Sequence, residues 1–237
     1  ASGASLNEST GWIMKVAILG MGSGWREALA LDRSWELWCL NEAYRLDPVL
    51  LTRASRWFEL HGYTPLTKAR RKPEHWGILA ALQIPVYTLY DLPGVKTAVS
   101  FPMAAAAEIQ DFFACTMAYQ IALALLEGVT ELKLFGMPLI GAREALVERP
   151  CVEWWRGYAE GRGVKVDVIH EEPFGLGRQP YRYAYNDQAE RYLAYRFAYT
   201  HHADVEDWIY YEEMRLRVKR PWWTRVIRWA ASKGYAQ

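Results

Sequence analysis

Apolar and polar positions along the chain follow two alternating patterns. Short apolar runs predict strands, and longer runs with apolar residues on one face predict helices. The predicted strands are Lys15–Leu19, Glu36–Leu40, Arg56–Leu60, Val86–Leu89, Glu131–Phe135 and Val164–Ile169. The predicted helices are Trp25–Leu31, Glu74–Leu82, Phe112–Glu127, which Gly128 is expected to end, and Cys151–Gly161. This alternation predicts βαβ units and an α/β fold, with a mostly parallel sheet and helices on both faces.

Small and polar residues follow four of the predicted strands. In parallel α/β sheets, ligands bind at the carboxyl ends of the strands, so these residues form the predicted ligand site. They are Gly20, Met21, Gly22 and Ser23 after the first strand, Asn41 and Glu42 after the second, Glu59 and His61 at the end of the third, and Gly136 and Met137 after Glu131–Phe135.

The sequence VAILGMGSGW, residues 16–25, runs from an apolar strand directly into a glycine-rich corner. Amides at a helix N-terminus lack intrahelical partners and carry the positive end of the helix dipole, so they attract phosphate. The dinucleotide fingerprint GxGxxG would need a glycine in place of Trp25, and no Walker motif is present. The corner is interpreted as an anion site with unpaired amides. A plain strand-to-helix turn is the alternative.

Asn41 lies where dinucleotide-binding folds carry an acid that contacts the ribose hydroxyls. An asparagine can bind a ribose or a base edge, and the neighbouring Glu42 can take the role of the acid. The alternative for Asn41 is a turn-forming residue. Thr116 is expected at the start of a helix, where its hydroxyl caps the helix or contacts a phosphate.

The segment WFELHGY places Glu59 and His61 on the same side of a strand end. A carboxylate beside an imidazole can act with it as a general-base pair, or can orient the imidazole. Glu59 and His61 are therefore the predicted catalytic residues. The alternatives are a surface salt bridge and a core histidine that binds a backbone carbonyl.

Changes in composition divide the chain into four parts. Residues 1–13 are small and polar and are interpreted as an expression remnant or a disordered lead. Residues 14–172 form the predicted nucleotide-binding domain, and residues 173–214 a linker with a Tyr-rich helical extension. Residues 215–237 hold seven Arg and Lys residues and no acid, which gives this segment a charge of +7. Because the net charge of the whole chain is +1, the remaining residues carry −6.

This basic tail mixes cations with tryptophans. Arg and Lys neutralise phosphates, and Trp stacks on unpaired bases or enters a membrane interface. The tryptophan spacing is also typical of one apolar helix face that docks on the domain, so docking, DNA or RNA, and a membrane or protein partner all stay open. The predicted contact residues are Arg217, Lys219, Arg220, Trp222, Trp223, Arg225 and Arg228.

The bulk composition narrows the class of protein. The hydrophobic content of 51% is typical of a packed domain, and the absence of a long uninterrupted apolar run argues against a membrane span. Cys39, Cys115 and Cys151 form no CxxC pair, which argues for a reducing compartment and against a structural zinc site. A cytoplasmic protein without a bound metal is expected.

Three stretches carry a resemblance to known families: VAILGMGSGW, WELWCLNEAY and ACTMAYQIALALLEGVTELKLFGM. They are similar to the bacterial sialyltransferases of glycosyltransferase family 42. They are equally similar to related Rossmann-like proteins, many carried by phages, that include the hydroxymethylpterin diphosphokinase-like group. WFELHGY and RPCVEWWRGYAEGRGVKVDVI resemble the phage-borne members.

The resemblance implies a Rossmann-like fold in which Gly20, Gly22 and Ser23 hold the phosphates of a ligand. Asn41 would contact its base or ribose, and Thr116 would line the same pocket. The sequence also departs from these families. Proline 138 stands where they have Asp, and residues 139–155 contain no His, so the sialyltransferase histidine has no counterpart and His61 is only a positional substitute.

Together these observations favour a nucleotide- or nucleotide-sugar-binding protein with glycosyltransferase-like chemistry. The basic tail extends this hypothesis to nucleic acid as an acceptor. The alternative is a non-catalytic module that binds a nucleotide or a partner, which the missing histidine favours. A nicotinamide-dependent oxidoreductase is disfavoured by Trp25, and the sequence does not indicate an oligomeric state.

Overall fold

The computed structural model describes residues 13–140, 145–170 and 175–177. The predicted basic tail, the Tyr-rich extension and nearly all of the predicted lead lie outside these residues. The described residues therefore belong mainly to the predicted nucleotide-binding domain.

A parallel sheet forms the centre of the described part of the chain. Its strands are β1 (Lys15–Leu19), β2 (Trp35–Leu40), β3 (Arg56–Phe58), β4 (Val86–Thr88), β5 (Ala98–Ser100), β6 (Glu131–Phe135) and β7 (Lys165–Ile169). They lie in the order β5-β4-β3-β2-β1-β6-β7, and each neighbouring pair is parallel. The predicted α/β fold with a parallel sheet is confirmed.

Helical segments connect the strands. The α-helices are α1 (Leu50–Arg53), α2 (Pro65–Arg70), α3 (His75–Ala81), α4 (Met103–Ile109), α5 (Thr116–Leu126) and α6 (Ala145–Gly161), and 3-10 helices span Trp25–Ala30 and Ala43–Arg45. The sequence TPLT explains the start of α2, because Thr64 and Thr67 form a reciprocal capping box and Pro65 occupies the first turn.

Two apolar cores lie on opposite faces of the sheet. Val16 and Ile18 of β1 face a core built with α4, α5 and α6, and Ala17 and Leu19 face a core built with α1, α3 and the first 3-10 helix. All four side chains are fully buried. A strand buried on both faces reads as a continuous apolar run, which is why the sequence VAIL identified β1. The prediction of helices on both faces is confirmed.

Several element boundaries differ from the predictions. The helix expected after the glycine corner is a six-residue 3-10 helix. The helix expected from Phe112 begins at Thr116, and α6 begins at Ala145 and continues through Pro150. Strand β5 was not predicted, because its three residues are exposed and form no apolar run.

The order of the strands reverses at β1. The chain moves outward from β1 to β5 and then returns to the other side of β1 through β6 and β7. Ligands of such sheets bind outside the carboxyl ends of the strands at this reversal. The corners after β1, β2, β3 and β6 therefore form one edge, called the carboxyl edge below.

Gly128 ends α5 in a left-handed conformation, with φ of 80°, as the sequence predicts. We expect Gly128→Ala to lower the free energy of unfolding by about 1 kcal/mol, since a Cβ disfavours positive φ. Gly77→Ala is the matched control, because Gly77 lies inside α3 with open space around its Cα, and there alanine should stabilise by about 0.5 to 1 kcal/mol. Equal effects of the two variants in urea denaturation would contradict this account.

Candidate functional site

The glycine corner after β1 packs tightly against the loop after β6. The Gly20 amide donates to the Phe135 carbonyl at 2.7 Å, and the Gly22 amide donates to the Gly136 carbonyl at 2.8 Å. A Cβ on Gly20 would collide with the Gly136 carbonyl, and one on Gly22 would lie 2.5 Å from Pro138 Cδ. The expectation of unpaired amides is therefore wrong for Gly20 and Gly22, and the close approach of the two loops accounts for both glycines.

The other residues of this corner have different environments. Met21 is exposed, and Ser23 Oγ is buried without a hydrogen-bond partner among the described residues. Met137, predicted to line the ligand site, has its side chain in the apolar core at 1% exposure. Gly136 makes the turn after β6 with φ of 63°. Met21 and Ser23 are therefore the residues of this loop pair whose side chains remain candidates for the predicted ligand site.

Asn41 directly follows β2 and has a left-handed conformation, with φ of 47°. Its amide donates to the Phe58 carbonyl, and its own carbonyl accepts from Trp57 Nε1 at 3.0 Å. Asn41 thus forms the turn that was its alternative interpretation. Its Oδ1 is nevertheless buried and has no hydrogen-bond partner in the described ranges.

Gln120 of α5 presents a second buried acceptor next to this turn. Its side chain is fully buried, and Nε2 donates to the Cys39 carbonyl of β2 at 3.5 Å. Its Oε1 has no partner in the part of the chain that the structure describes. Thr116, one turn earlier, is buried and is the first helical residue, whereas Cys115 is the N-cap and makes no side-chain cap bond. The prediction that Thr116 caps the helix is therefore wrong.

Glu59 follows β3 and is the centre of a polar cluster at the carboxyl edge. Its carboxylate is fully buried. Oε1 accepts from the backbone amide of His61 at 3.1 Å, and from Arg71 Nη2 at 3.1 Å. Oε2 accepts from His75 Nε2 at 2.9 Å. The predicted pair thus belongs to a larger cluster, which we call the Glu59 cluster: Glu42, Tyr44, Glu59, His61, Arg71 and His75.

His61 carries the accessible imidazole of the Glu59 cluster. Its side chain is about half exposed, and Nδ1 lies 2.7 Å from both Glu59 Oε1 and Arg71 Nη2. An ionised carboxylate can only accept and a guanidinium can only donate, so the two contacts favour opposite tautomers: an Nδ1–H donates to Glu59, whereas an unprotonated Nδ1 accepts from Arg71. In the Nδ1–H tautomer the Nε2 lone pair has no partner among the described residues. The Nδ1–H tautomer, which Glu59 favours, is the one in which Nε2 can act as a general base.

Arg71 and Glu42 complete the charge balance of the cluster. Arg71 Nη1 lies 3.6 Å from Glu42 Oε2, so the guanidinium bridges the carboxylates that follow β2 and β3. Glu42 also accepts from the Lys72 amide at 3.2 Å. Glu42 therefore holds the segment after α2 in place and is used structurally, rather than being free for a ribose.

The surroundings of Glu59 keep it ionised. Burial alone would raise the pKa of Glu59, but hydrogen bonds from His61 and His75 and the charge of Arg71 outweigh burial and lower the pKa to about 2. Burial, followed by the charges of Glu42 and Glu74, raises the pKa of Tyr44 to about 12. Near neutral pH, Glu59 is thus an acceptor only, and Tyr44 retains its proton.

The cluster can orient the His61 imidazole and accept a proton, but its residues do not form a metal site. No group of three or more His, Cys, Asp or Glu side chains within residues 13–140, 145–170 and 175–177 is arranged to hold a metal ion.

In the same ranges, no helix is both long and apolar enough to cross a membrane. All three cysteines are free thiols.

Arg71, His75 and Gln120 were not identified from the sequence. Arg71 and His75 lie beyond α2, more than ten residues after Glu59, and only the packing of α2 and α3 brings them to the end of β3. A glutamine inside the apolar helix TMAYQIALALL was a usable signal for Gln120. The predicted contact residues of the basic tail, Arg217 to Arg228, lie outside the described residues.

Comparison with solved structures gives distant similarities. One is the sialyltransferase CstII from Campylobacter jejuni in complex with the substrate analogue CMP-3FNeuAc, at 15% identity and a TM-score of 0.48, covering 69% of this chain and 83% of that one. Another is CstII with cytidine-5'-monophosphate, at 15% identity and a TM-score of 0.44, covering 71% and 86%. No family model and no curated protein matches the sequence.

We expect the stability supplied by Glu59 to depend on acid pH. A folded pKa of about 2 lies below the ordinary value of 4.5, so this stability is present above pH 4.5 and is lost as the pH falls towards 2. The unfolding free energy of the wild type should exceed that of Glu59→Gln at neutral pH, and the difference should shrink by about 3 kcal/mol on acidification.

The exposed Glu27→Gln is the control and should follow the wild-type profile. Chemical denaturation at a series of pH values measures all three proteins. A difference between wild type and Glu59→Gln that stays constant with pH would contradict an ionised Glu59 in the folded state.

Proposed function

We propose that the protein binds a nucleotide-type ligand at the carboxyl edge and transfers a group from it, with His61 as general base. The observation that carries this proposal is the 2.7 Å contact between His61 Nδ1 and the buried Glu59 carboxylate, beside a half-exposed imidazole. Glu59 orients the imidazole and is not itself the base, because it is buried and already accepts from several donors.

The proposed reaction is a direct displacement on a nucleotide sugar. His61 Nε2 takes the proton of an acceptor hydroxyl as its oxygen bonds to the anomeric carbon. The bond from that carbon to the phosphate oxygen breaks, and the nucleotide leaves with the electron pair. The imidazolium that forms lies beside the Glu59 carboxylate, whose negative charge stabilises it.

Buried acceptors at the same edge support a ligand with N–H or O–H donors. Asn41 Oδ1 and Gln120 Oε1 are buried carbonyl oxygens without partners in the described residues, and Ser23 Oγ, in the corner after β1, is also buried without a partner there. A buried acceptor without a partner costs about 1 to 3 kcal/mol, which a donor from a base or a ribose would recover. These atoms favour the base or ribose of a nucleotide over an apolar ligand.

A second candidate function is nucleotide binding without transfer. It is favoured by the glycine corner, since the amides of Gly20 and Gly22 donate to backbone carbonyls and are not free to stabilise a leaving phosphate. The two candidates differ in one measurable property, which is turnover of a bound nucleotide sugar.

A thermal-shift screen of nucleotides, nucleotide sugars and dinucleotides tests the proposal. A ligand at about 100 times its Kd stabilises the folded state by about 2.7 kcal/mol, which should raise Tm by about 5 °C or more. We then expect His61→Ala to retain binding within about twofold but to lower turnover about 100-fold or more.

Gln83→Ala is the control, because Gln83 is exposed and precedes β4, at the opposite edge of the sheet. It should match the wild type in both assays. Binding without turnover in the wild type supports the second candidate. The absence of any stabilising nucleotide-type ligand would overturn both.

We also propose that the basic tail contacts nucleic acid, because residues 215–237 combine seven cations with four aromatic residues, Trp222, Trp223, Trp229 and Tyr235, and carry no acid. Replacing Arg217, Arg220, Arg225 and Arg228 with Gln in the full chain should weaken binding of single-stranded DNA about tenfold or more and flatten its salt dependence.

The matched control replaces four exposed cations of the domain with Gln: Arg33, Lys96, Arg162 and Lys165. Fluorescence anisotropy at several salt concentrations measures both sets. Equal losses in the two variants, or no loss in the tail variant, would argue against a role of the tail.

A further inference from the structure

We propose that His75 and Tyr44 are positioning residues that hold the Glu59 carboxylate in the orientation that sets the tautomer of His61. The inference deepens the proposed function and depends on it for the role of His61 as base. It is carried by an unbroken chain of contacts: Tyr44 Oη to His75 Nδ1 at 3.2 Å, His75 Nε2 to Glu59 Oε2 at 2.9 Å, and Glu59 Oε1 to His61 Nδ1 at 2.7 Å.

The direction of each hydrogen bond in this chain follows from the ionised carboxylate. Glu59 can only accept, so His75 donates from Nε2, and in the neutral form of an imidazole the other nitrogen, Nδ1, is then an acceptor. Tyr44 keeps its proton and donates to that nitrogen. In this arrangement His61 donates from Nδ1 to Glu59 and keeps its lone pair on the outward Nε2. It opposes the tautomer that Arg71 favours, because Arg71 Nη2 can only donate and lies 2.7 Å from the same Nδ1.

His75 is needed because Arg71 competes for Glu59. A guanidinium favours bidentate pairing with both oxygens of a carboxylate. Here Arg71 reaches only Oε1, at 3.1 Å, because Oε2 is occupied by His75, and the other arm of Arg71 is turned to Glu42. Without the His75 N–H, Arg71 can take both oxygens, and the carboxylate rotates away from His61.

The surroundings of His75 make its ring a rigid anchor. The side chain is fully buried and stacks on Tyr44 with centroids 5.8 Å apart, and Trp76 meets it edge to face at 4.9 Å. Tyr44 in turn stacks on Trp57 of β3. The anchor is therefore fixed to the sheet by aromatic packing, whereas His61 at its far end remains accessible.

The test measures the tautomer of His61 directly, without any ligand. The full chain is labelled with 15N-histidine, and the ring nitrogen shifts, which distinguish the two tautomers of a neutral imidazole, are recorded in alkaline buffer. His61→Ala and His75→Gln assign the signals among the five histidines. In the wild type we expect Nδ1–H as the major form of His61.

We expect His75→Leu to lower the ratio of Nδ1–H to Nε2–H at His61 about tenfold. The reason is that Glu59 then pairs with Arg71 and loses its charge-assisted hydrogen bond from His61. His75→Gln keeps an N–H donor for Oε2 and should restore the ratio to within about threefold of the wild type. Tyr44→Phe keeps the aromatic packing and removes only the hydroxyl, and should lower the ratio about threefold. It decides the question if His75→Leu does not fold.

The proposal is overturned if wild-type His61 carries its proton mainly on Nε2. It is equally overturned if a folded His75→Leu, or Tyr44→Phe, leaves the ratio at His61 unchanged. The proposed function fails separately. A responsive tautomer in a protein that binds no nucleotide refutes the function alone, and turnover that depends on His61 while its tautomer ignores His75 refutes the positioning role alone.

Discussion

The carboxylate of Glu59 is a buried negative charge, and the carboxyl edge of the sheet is organised around compensating it. An unpaired charge at such a position would cost several kcal/mol, so its neighbours must supply donors from several directions. They come from three places in the sequence: the turn at His61, the end of α2 at Arg71 and the start of α3 at His75. The charge thereby fixes how α2 and α3 meet the sheet.

Close contact between two loops determines which residues of the carboxyl edge are used for packing. At the reversal of strand order, the corners after β1 and β6 exchange backbone hydrogen bonds, and their glycines permit that contact. The buried carbonyl oxygens of Asn41 and Gln120, which have no hydrogen-bond partner among the described residues, and the accessible imidazole of His61 lie instead near the ends of β2 and β3. The proposed ligand site therefore lies towards Asn41 and His61 and not at the reversal itself, where general rules for α/β sheets would put it.

The sheet could be predicted from the sequence because burial on both faces leaves a local signal. VAIL and ELKLF are recognisable as strands without any knowledge of their neighbours, and Gly128 marks the end of α5 in the same local way. Only part of the Glu59 cluster could be predicted from the sequence. Glu59 and His61 are two residues apart, whereas Arg71 and His75 join them through tertiary packing that no spacing rule encodes.

The glycine corner follows β1 directly, as predicted, but the prediction that its amides are unpaired was wrong for Gly20 and Gly22. A glycine-rich corner after a buried strand has two physical causes, a ligand that approaches the backbone or another backbone segment that does so, and both demand the absence of a Cβ. Only the partner distinguishes them, and here the partner is the Gly136 carbonyl. A carboxylate next to an imidazole, as in Glu59 and His61, is more informative, because a buried carboxylate requires donors whatever its role. Its presence in the sequence therefore implies a cluster before the members of that cluster are known.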